Sequence, residues 1–405
     1  MTDGAETDMP EGRQTHPGSA GVLAAACAQV GLTWPLPAPG LGDVLAGAGG
    51  VLGLTDPQAT AAQSRLGLPR AKRVVVALVD GLGRTNLAER GGHAPFLRRL
   101  LPGSLALAST FPSTTAAALG TFGTGAPPGA TAMLGYTVRN PATGRLANLV
   151  SWTDLPEAEQ WQRQPTWFER LVAAGVPVRS VGPQRFDGSG LTRAVLRGGT
   201  YLPAETLAQR VDRAAAAARE PGLVYLYWGQ VDKVGHHAGW GSLAWGDELG
   251  TTDAELARLA RSLPRGTLLV VTADHGMIDV DQTLRWDVAT SPELARGVAL
   301  VTGEKRAMQL HLDAGTDPAV VAARWQDVLG DRAVVVTKAD AVAQEMFGPV
   351  EAEVDPVIGD VVVAMAGRAT VVDSRTQTPD SVQLIGVHGS LTEHETAVPL
   401  LVTET

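Results

Sequence analysis

The chain has 405 residues, 44% hydrophobic and 19% charged, which is enough for a sizeable core and too apolar for a disordered polymer. Its net charge of −9 excludes a chain-wide basic footprint for nucleic acid, and its single cysteine, Cys27, excludes an intramolecular disulfide or a cysteine-based zinc site. No apolar run reaches the ~18 residues of a membrane span.

Residues 1–18 carry Asp3, Glu6, Asp8 and Glu11 against Arg13 and read as a floppy, disordered tail. Residues 19–32 are apolar but lack the positive start of a signal peptide, so the expected location is cytoplasmic. Residues 35–42 (PLPAPGLG) read as loop. Residues 73–80 (RVVVALVD) are a continuous apolar run with the texture of a buried parallel strand. Residues 114–124 are rich in small side chains and predict a tightly packed helix stopped by Gly125. Residues 223–228 (LVYLYW) predict a second buried strand. A helix follows over 253–263, with Leu256, Leu259 and Leu263 at helical spacing. Residues 267–273 predict a third buried strand, running into Asp274. The alternation predicts an α/β fold, a mostly parallel sheet covered by helices on both faces.

After His275 the texture changes. Two strands over 297–312 flank the turn Gly303-Glu304-Lys305, a helix covers 317–329, a strand 333–337, a helix 339–347, and two strands lie within 359–373. This predicts a small inserted α/β lobe over 276–385. The catalytic α/β domain is then 19–275 plus 386–405, with strand texture returning over 384–403.

Four separated segments end apolar runs with metal-type ligands. They are Asp80 in LVDGLG, Asp232 and His236 in GQVDKVGHH, Asp274 and His275 in VVTADHGM, and His388 in IGVHGS. In doubly wound sheets, ligands gather at the carboxyl ends of strands. A single Asp after a strand serves equally well as a loop cap. The adjacent Asp274 and His275, however, put two donors at one strand mouth, and Asp232 and His236 share one helical face. Three Asp and three His together would satisfy two zinc ions, or other divalent transition metals. Between the first two segments lies Ser113-Thr114-Thr115 at a predicted helix start, where backbone N–H groups favour an anion and a hydroxyl could act as nucleophile. The same residue types also serve as ordinary N-caps.

In the order VDGLG, FPSTTAAALGTFGTG, DKVGH, ADHGM and VHG, these motifs resemble the alkaline phosphatase superfamily, nearest its nucleotide pyrophosphatase/phosphodiesterase branch. The resemblance runs from about Asp80 to His388. It implies one zinc on Asp232, His236 and His388, and another on Asp80, Asp274, His275 and the nucleophile oxygen. Counting ten residues back from Gly125 lands on Thr115 as nucleophile; anchoring on Thr110-Phe111-Pro112 gives Thr110 instead. Relatives carry an asparagine about twenty residues past the nucleophile, where this chain has Tyr136, with Asn140 slightly later; both are candidate substrate contacts. Thr115 is followed by alanines and lacks the sulfatase pattern. The implied activity is a two-metal phosphoric-ester hydrolase acting on a small-molecule phosphoester through a covalent threonine intermediate. A phosphodiesterase or nucleotide pyrophosphatase fits best. A phosphomonoesterase, a phosphonate hydrolase and a non-catalytic metal-binding protein are the alternatives.

Overall fold

The computed structural model describes residues 19–405, so the reading of residues 1–18 falls outside the described residues. The central sheet has seven strands: β1 (Arg73–Val79), β2 (Leu105–Ala108), β3 (Val178–Gly182), β4 (Thr200–Pro203), β5 (Gly222–Trp228), β6 (Thr267–Thr272) and β7 (Ala397–Glu404). Their order is β2-β7-β6-β1-β5-β3-β4. Neighbouring strands from β6 to β4 are all parallel, and β7 alone opposes its neighbours, β2 and β6. In β1, six of seven residues are buried, as a strand covered on both faces requires. Its β-branched run packs with β5 and β6 into the main apolar core.

Helices cover this sheet. The Leu207–Ala217 helix starts on a capping box of Thr206 and Gln209, and the Leu243–Ser262 helix buries Leu249, Leu256 and Leu259. The small-residue helix runs from Thr115 to Thr124. It ends at Gly125, whose φ of 75° and lack of Cβ are both needed, because a Cβ there would lie 2.8 Å from Trp167 Nε1.

A second, six-stranded antiparallel sheet lies in the later part of the chain, in the order 333–337, 361–365, 307–312, 298–304, 137–139, 146–148. Four of its strands fall where the insertion was expected. The other two form a hairpin from 137–148, a segment with no strand signal of its own. The helix Pro318–Leu329 packs Val321, Trp325 and Leu329 onto this sheet.

Candidate active site and metal centre

The central sheet delivers its ligands at the carboxyl ends of its middle strands. Asp80 follows β1, Asp274 and His275 follow β6, and the helix Gln230–Ala238 after β5 carries Asp232 and His236 on one face. His388 arrives from the short strand Gly386–Val387, which pairs with Ile278–Asp279. Gly81 permits the approach: its φ is 73°, and a Cβ would meet the Asp232 Cβ at 2.9 Å.

The six side chains divide into two groups, Asp80/Asp274/His275 and Asp232/His236/His388, each with ligand atoms within 4.8 Å of one another. His275 Nε2 lies 3.4 Å from Asp80 Oδ1 and 3.6 Å from Asp274 Oδ2. Asp232 holds Oδ2 at 3.2 Å from His236 Nε2 and Oδ1 at 3.8 Å from His388 Nε2. The groups adjoin, because the His275 and His388 rings stack at 3.6 Å.

The hydrogen bonds around these ligands show what they are prepared to hold. His236 Nδ1 donates to the Gly386 carbonyl at 2.7 Å, His388 Nδ1 to Ser113 at 2.9 Å, and His275 Nδ1 to Gly276 at 3.0 Å. A carbonyl only accepts, so each ring carries its proton on Nδ1 and, when neutral, presents a bare Nε2 lone pair. Tyr227 donates its phenol to Asp80 Oδ2, and Asp274 Oδ1 accepts from the Gly81 and His275 backbone amides. That leaves Asp80 Oδ1, Asp232 Oδ1 and Asp274 Oδ2 buried with no hydrogen-bond partner among the described residues. Orphaned buried carboxylate oxygens beside three aimed imidazole nitrogens are a donor set for cations, and zinc or a similar divalent ion fits both groups.

Charge crowding agrees. Burial, then the Asp274 and Asp232 charges, raises the Asp80 carboxyl well above its ordinary value, and burial raises Asp274 too. Burial also raises Asp232, but His236, His388 and His275 outweigh it and hold that carboxyl below the usual range. Burial, then neighbouring His275, pushes His388 well down. A bound cation relieves both the carboxylate crowding and the cost of burial.

Thr115 opens the small-residue helix, with Thr114 at the N-cap in extended conformation and making no capping bond. The Thr115 hydroxyl lies 3.2 Å from His275 Nε2 and lines a cleft of about 920 Å³ shared with Asp80, Asp232 and His388. Thr110 is turned elsewhere: it is buried and donates its hydroxyl to the Pro112 carbonyl at 2.6 Å. Geometry therefore favours the ten-residue count over the Thr-Phe-Pro anchor.

Residues 74–391 match the type I phosphodiesterase / nucleotide pyrophosphatase family. The chain belongs to this family, within the alkaline phosphatase superfamily. Among solved structures it is similar to human ectonucleotide pyrophosphatase / phosphodiesterase 5, with a TM-score of 0.66 and 15% identity, covering 82% of this chain and 87% of that one. It is also similar to phosphonoacetate hydrolase from Sinorhizobium meliloti 1021 in complex with phosphonoformate, with a TM-score of 0.62, 20% identity, and coverage of 82% and 90%. At such identities these likenesses concern the fold. A phosphopentomutase of Anaeromyxobacter dehalogenans is 35% identical over 117 residues, and the match spans 28% of each chain.

For this phosphodiesterase-family chain, the expected substrate contacts divide. Tyr136 is 46% exposed and lines the cleft. Asn140 does not line it. Its amide donates to the Asp154 carbonyl at 2.7 Å and its oxygen accepts from Ala142 N, so hairpin geometry consumes the side chain and the substrate-contact reading fails there. Sequence reasoning passed over Tyr227, a hydroxyl near the end of a buried strand, which was the available signal. It also passed over the charged run Glu304-Lys305-Arg306, where only the turn was recognised. Among the described residues, no helix is long and apolar enough to cross a membrane.

Proposed function

We propose that this chain is a two-metal phosphoric-ester hydrolase, a phosphodiesterase or nucleotide pyrophosphatase that works through a covalent intermediate on Thr115. The observation that carries this reading is the Thr115 hydroxyl, held at a helix start 3.2 Å from His275 and facing the open cleft. Asp80, Asp274 and His275 would hold one divalent ion, zinc by preference, and Asp232, His236 and His388 the other. Such ions would supply positive charge that lowers the pKa of an adjacent hydroxyl and offsets the negative charge of an in-line displacement at phosphorus.

The chain's own residues do the rest. The helix start aims backbone N–H groups at a phosphoryl oxygen. The Thr115 oxygen bonds to phosphorus as the bond to the leaving oxygen breaks, and its proton leaves to solvent. Water then cleaves the phosphothreonyl ester and restores the hydroxyl. The donation from His388 Nδ1 to the Ser113 carbonyl ties a ligand of one group to the segment carrying the nucleophile. Tyr227, bonded to Asp80, fixes which carboxylate oxygen faces the site.

Tyr136, standing where relatives carry an asparagine, supports a second reading as a phosphomonoesterase or phosphonate hydrolase. Metal content measured beside turnover of bis-p-nitrophenyl phosphate and p-nitrophenyl phosphate tests both. Metal-dependent turnover of the diester above the monoester is expected. Full activity in excess chelator overturns the two-metal reading.

A further inference from the structure

The turn joining strands 298–304 and 307–312 sends three consecutive charged side chains into three different surroundings. Glu304 lies against Thr114 and Gly389. Arg306 is fully buried against Glu395. Lys305, between them, is 6% exposed and lines the same cleft as Thr115 and His388.

The Lys305 ammonium donates to the Ser381 carbonyl, near the end of the short helix Pro379–Val382, and pairs with no carboxylate among the described residues. A carbonyl offers a dipole but no counter-charge, so the buried ammonium is left uncompensated. The surroundings make this worse. Burial, then the Arg285 guanidinium, pushes Lys305 down to about 8, and Lys305 in turn acts against the charged form of His236. Arg185 and Lys233 also face the cleft, but both are exposed and solvated. Arg210 also lines the cleft, 5% exposed and without a carboxylate partner among the described residues, but its guanidinium is spent on three carbonyls, those of Ala204, Glu205 and Tyr227, whereas the Lys305 ammonium donates to one.

We infer that Lys305 is a specificity-determining residue that receives a second anionic group of the substrate, so that the preferred phosphoesters or phosphonates carry a carboxylate or a further phosphate close to the reacting phosphorus. This rests on the phosphoryl-transfer reading above. Lys305 shares its cleft with Asp232, His236 and His388, so a second group held there lies within the same cleft as the reacting phosphorus. A lysine that only pinned the 379–382 turn would show no preference between ligands differing by one charge.

The experiment uses the metal-loaded full chain and inhibition of bis-p-nitrophenyl phosphate turnover. Two matched pairs of inhibitors are compared, methylphosphonate with phosphonoacetate and phosphate with pyrophosphate, in wild type, Lys305→Met and Lys305→Arg. One hydrogen bond to a buried charge corresponds to about tenfold in affinity or more. Wild type should therefore prefer the doubly anionic member of at least one pair by about that factor, and the pair that shows it names the second group. Lys305→Met should reduce the preference to a few-fold at most, and Lys305→Arg should retain it. Chelation of metal by the inhibitors acts on all three proteins alike, so the ratio between members is the readout. An equal ratio in wild type and Lys305→Met overturns the inference, as does a wild type with no preference in either pair. If Lys305→Met does not fold, Lys305→Gln supplies the same comparison. If wild type turns over no phosphoester, the hydrolase reading has failed, and calorimetric binding of the same four ligands still decides the role of Lys305.

Discussion

Arg306 forks onto Glu395, with Nε 3.1 Å from Oε1 and Nη2 2.7 Å from Oε2, both side chains fully buried. The pair joins the second sheet to the segment leading into β7, and it reaches the active site. Glu395 also accepts from Ser390 N and the Thr392 hydroxyl, Ser113 donates to the Ser390 carbonyl, and His388 Nδ1 donates to the Ser113 carbonyl. Arg306→Met strands a buried carboxylate, so urea unfolding should show a loss of about 3–5 kcal/mol. Metal affinity and turnover should fall with it, because the 388–390 loop loses its anchor. A double variant, Arg306→Met with Glu395→Gln, should recover part of the stability, and a recovery of none would mean the charge pair is not the source of the loss.

Thr115→Ala should eliminate the phosphoenzyme trapped by acid quench and seen by mass spectrometry, with metal content retained and the unfolding midpoint little changed. Thr110→Ala should do the opposite, costing stability through the lost bond to the Pro112 carbonyl while turnover survives. Thr114→Ala should lower the rate modestly. Trapped phosphate on Thr114 or Thr110 in the wild type would refute the assignment.

Each triad should act as a separate metal site. Elemental analysis of the purified chain should give about two divalent ions, and His236→Ala should leave about one. Asp274→Asn keeps the shape of the carboxylate but loses its charge. It should still accept from the Gly81 and His275 amides. Its metal content should fall with little change in fold, because those amides position the side chain whether or not it is charged. Asp274→Asn with two ions and full rate would remove Asp274 from the set.

Much of this site was legible because the ligands sit where buried strands stop. An apolar run such as RVVVALV must end in a loop, and a polar pair such as Asp274-His275 directly after one has few structural reasons to be there. Helical spacing likewise placed Asp232 and His236 on one face. The edge of the central sheet was harder. β3 (VRSVG) mixes Arg179 and Ser180 into its run, and β4 (TYLP) is a short edge strand ending in Pro203, so neither shows a buried-strand pattern. The helix Asp43–Val51 is glycine-rich and carries little helical propensity. It exists because glycine lets it close on the next helix: a Cβ at Gly50 would lie 2.5 Å from the Ala59 carbonyl oxygen. The hairpin 137–148 has strands of three residues, too short for alternation to register, and pairing with 298–304 makes it a hairpin. Lys305 and Arg306 were invisible as partners because the groups they bond lie 60 to 89 positions later.

His311 gives a pH dependence that can be separated from the metal site. It lies in strand 307–312, 5% exposed, with Nε2 3.2 Å from the Thr302 hydroxyl. Burial, then the Arg139 charge, lowers it from 6.5 to about 4. A depressed imidazole binds its proton less readily folded than unfolded, so protonation favours unfolding. The contribution is fully present above the unfolded value near 6.5 and is lost as pH falls toward about 4, amounting to about 3 kcal/mol. Titrating carboxylates change stability over the same range, so wild type alone does not isolate it. His311→Gln keeps a polar partner for Thr302 and does not titrate. Between pH 7 and pH 4, urea unfolding should show wild type losing about 3 kcal/mol more than His311→Gln. Parallel losses in the two proteins would mean that this imidazole accepts its proton in the folded chain as readily as in water.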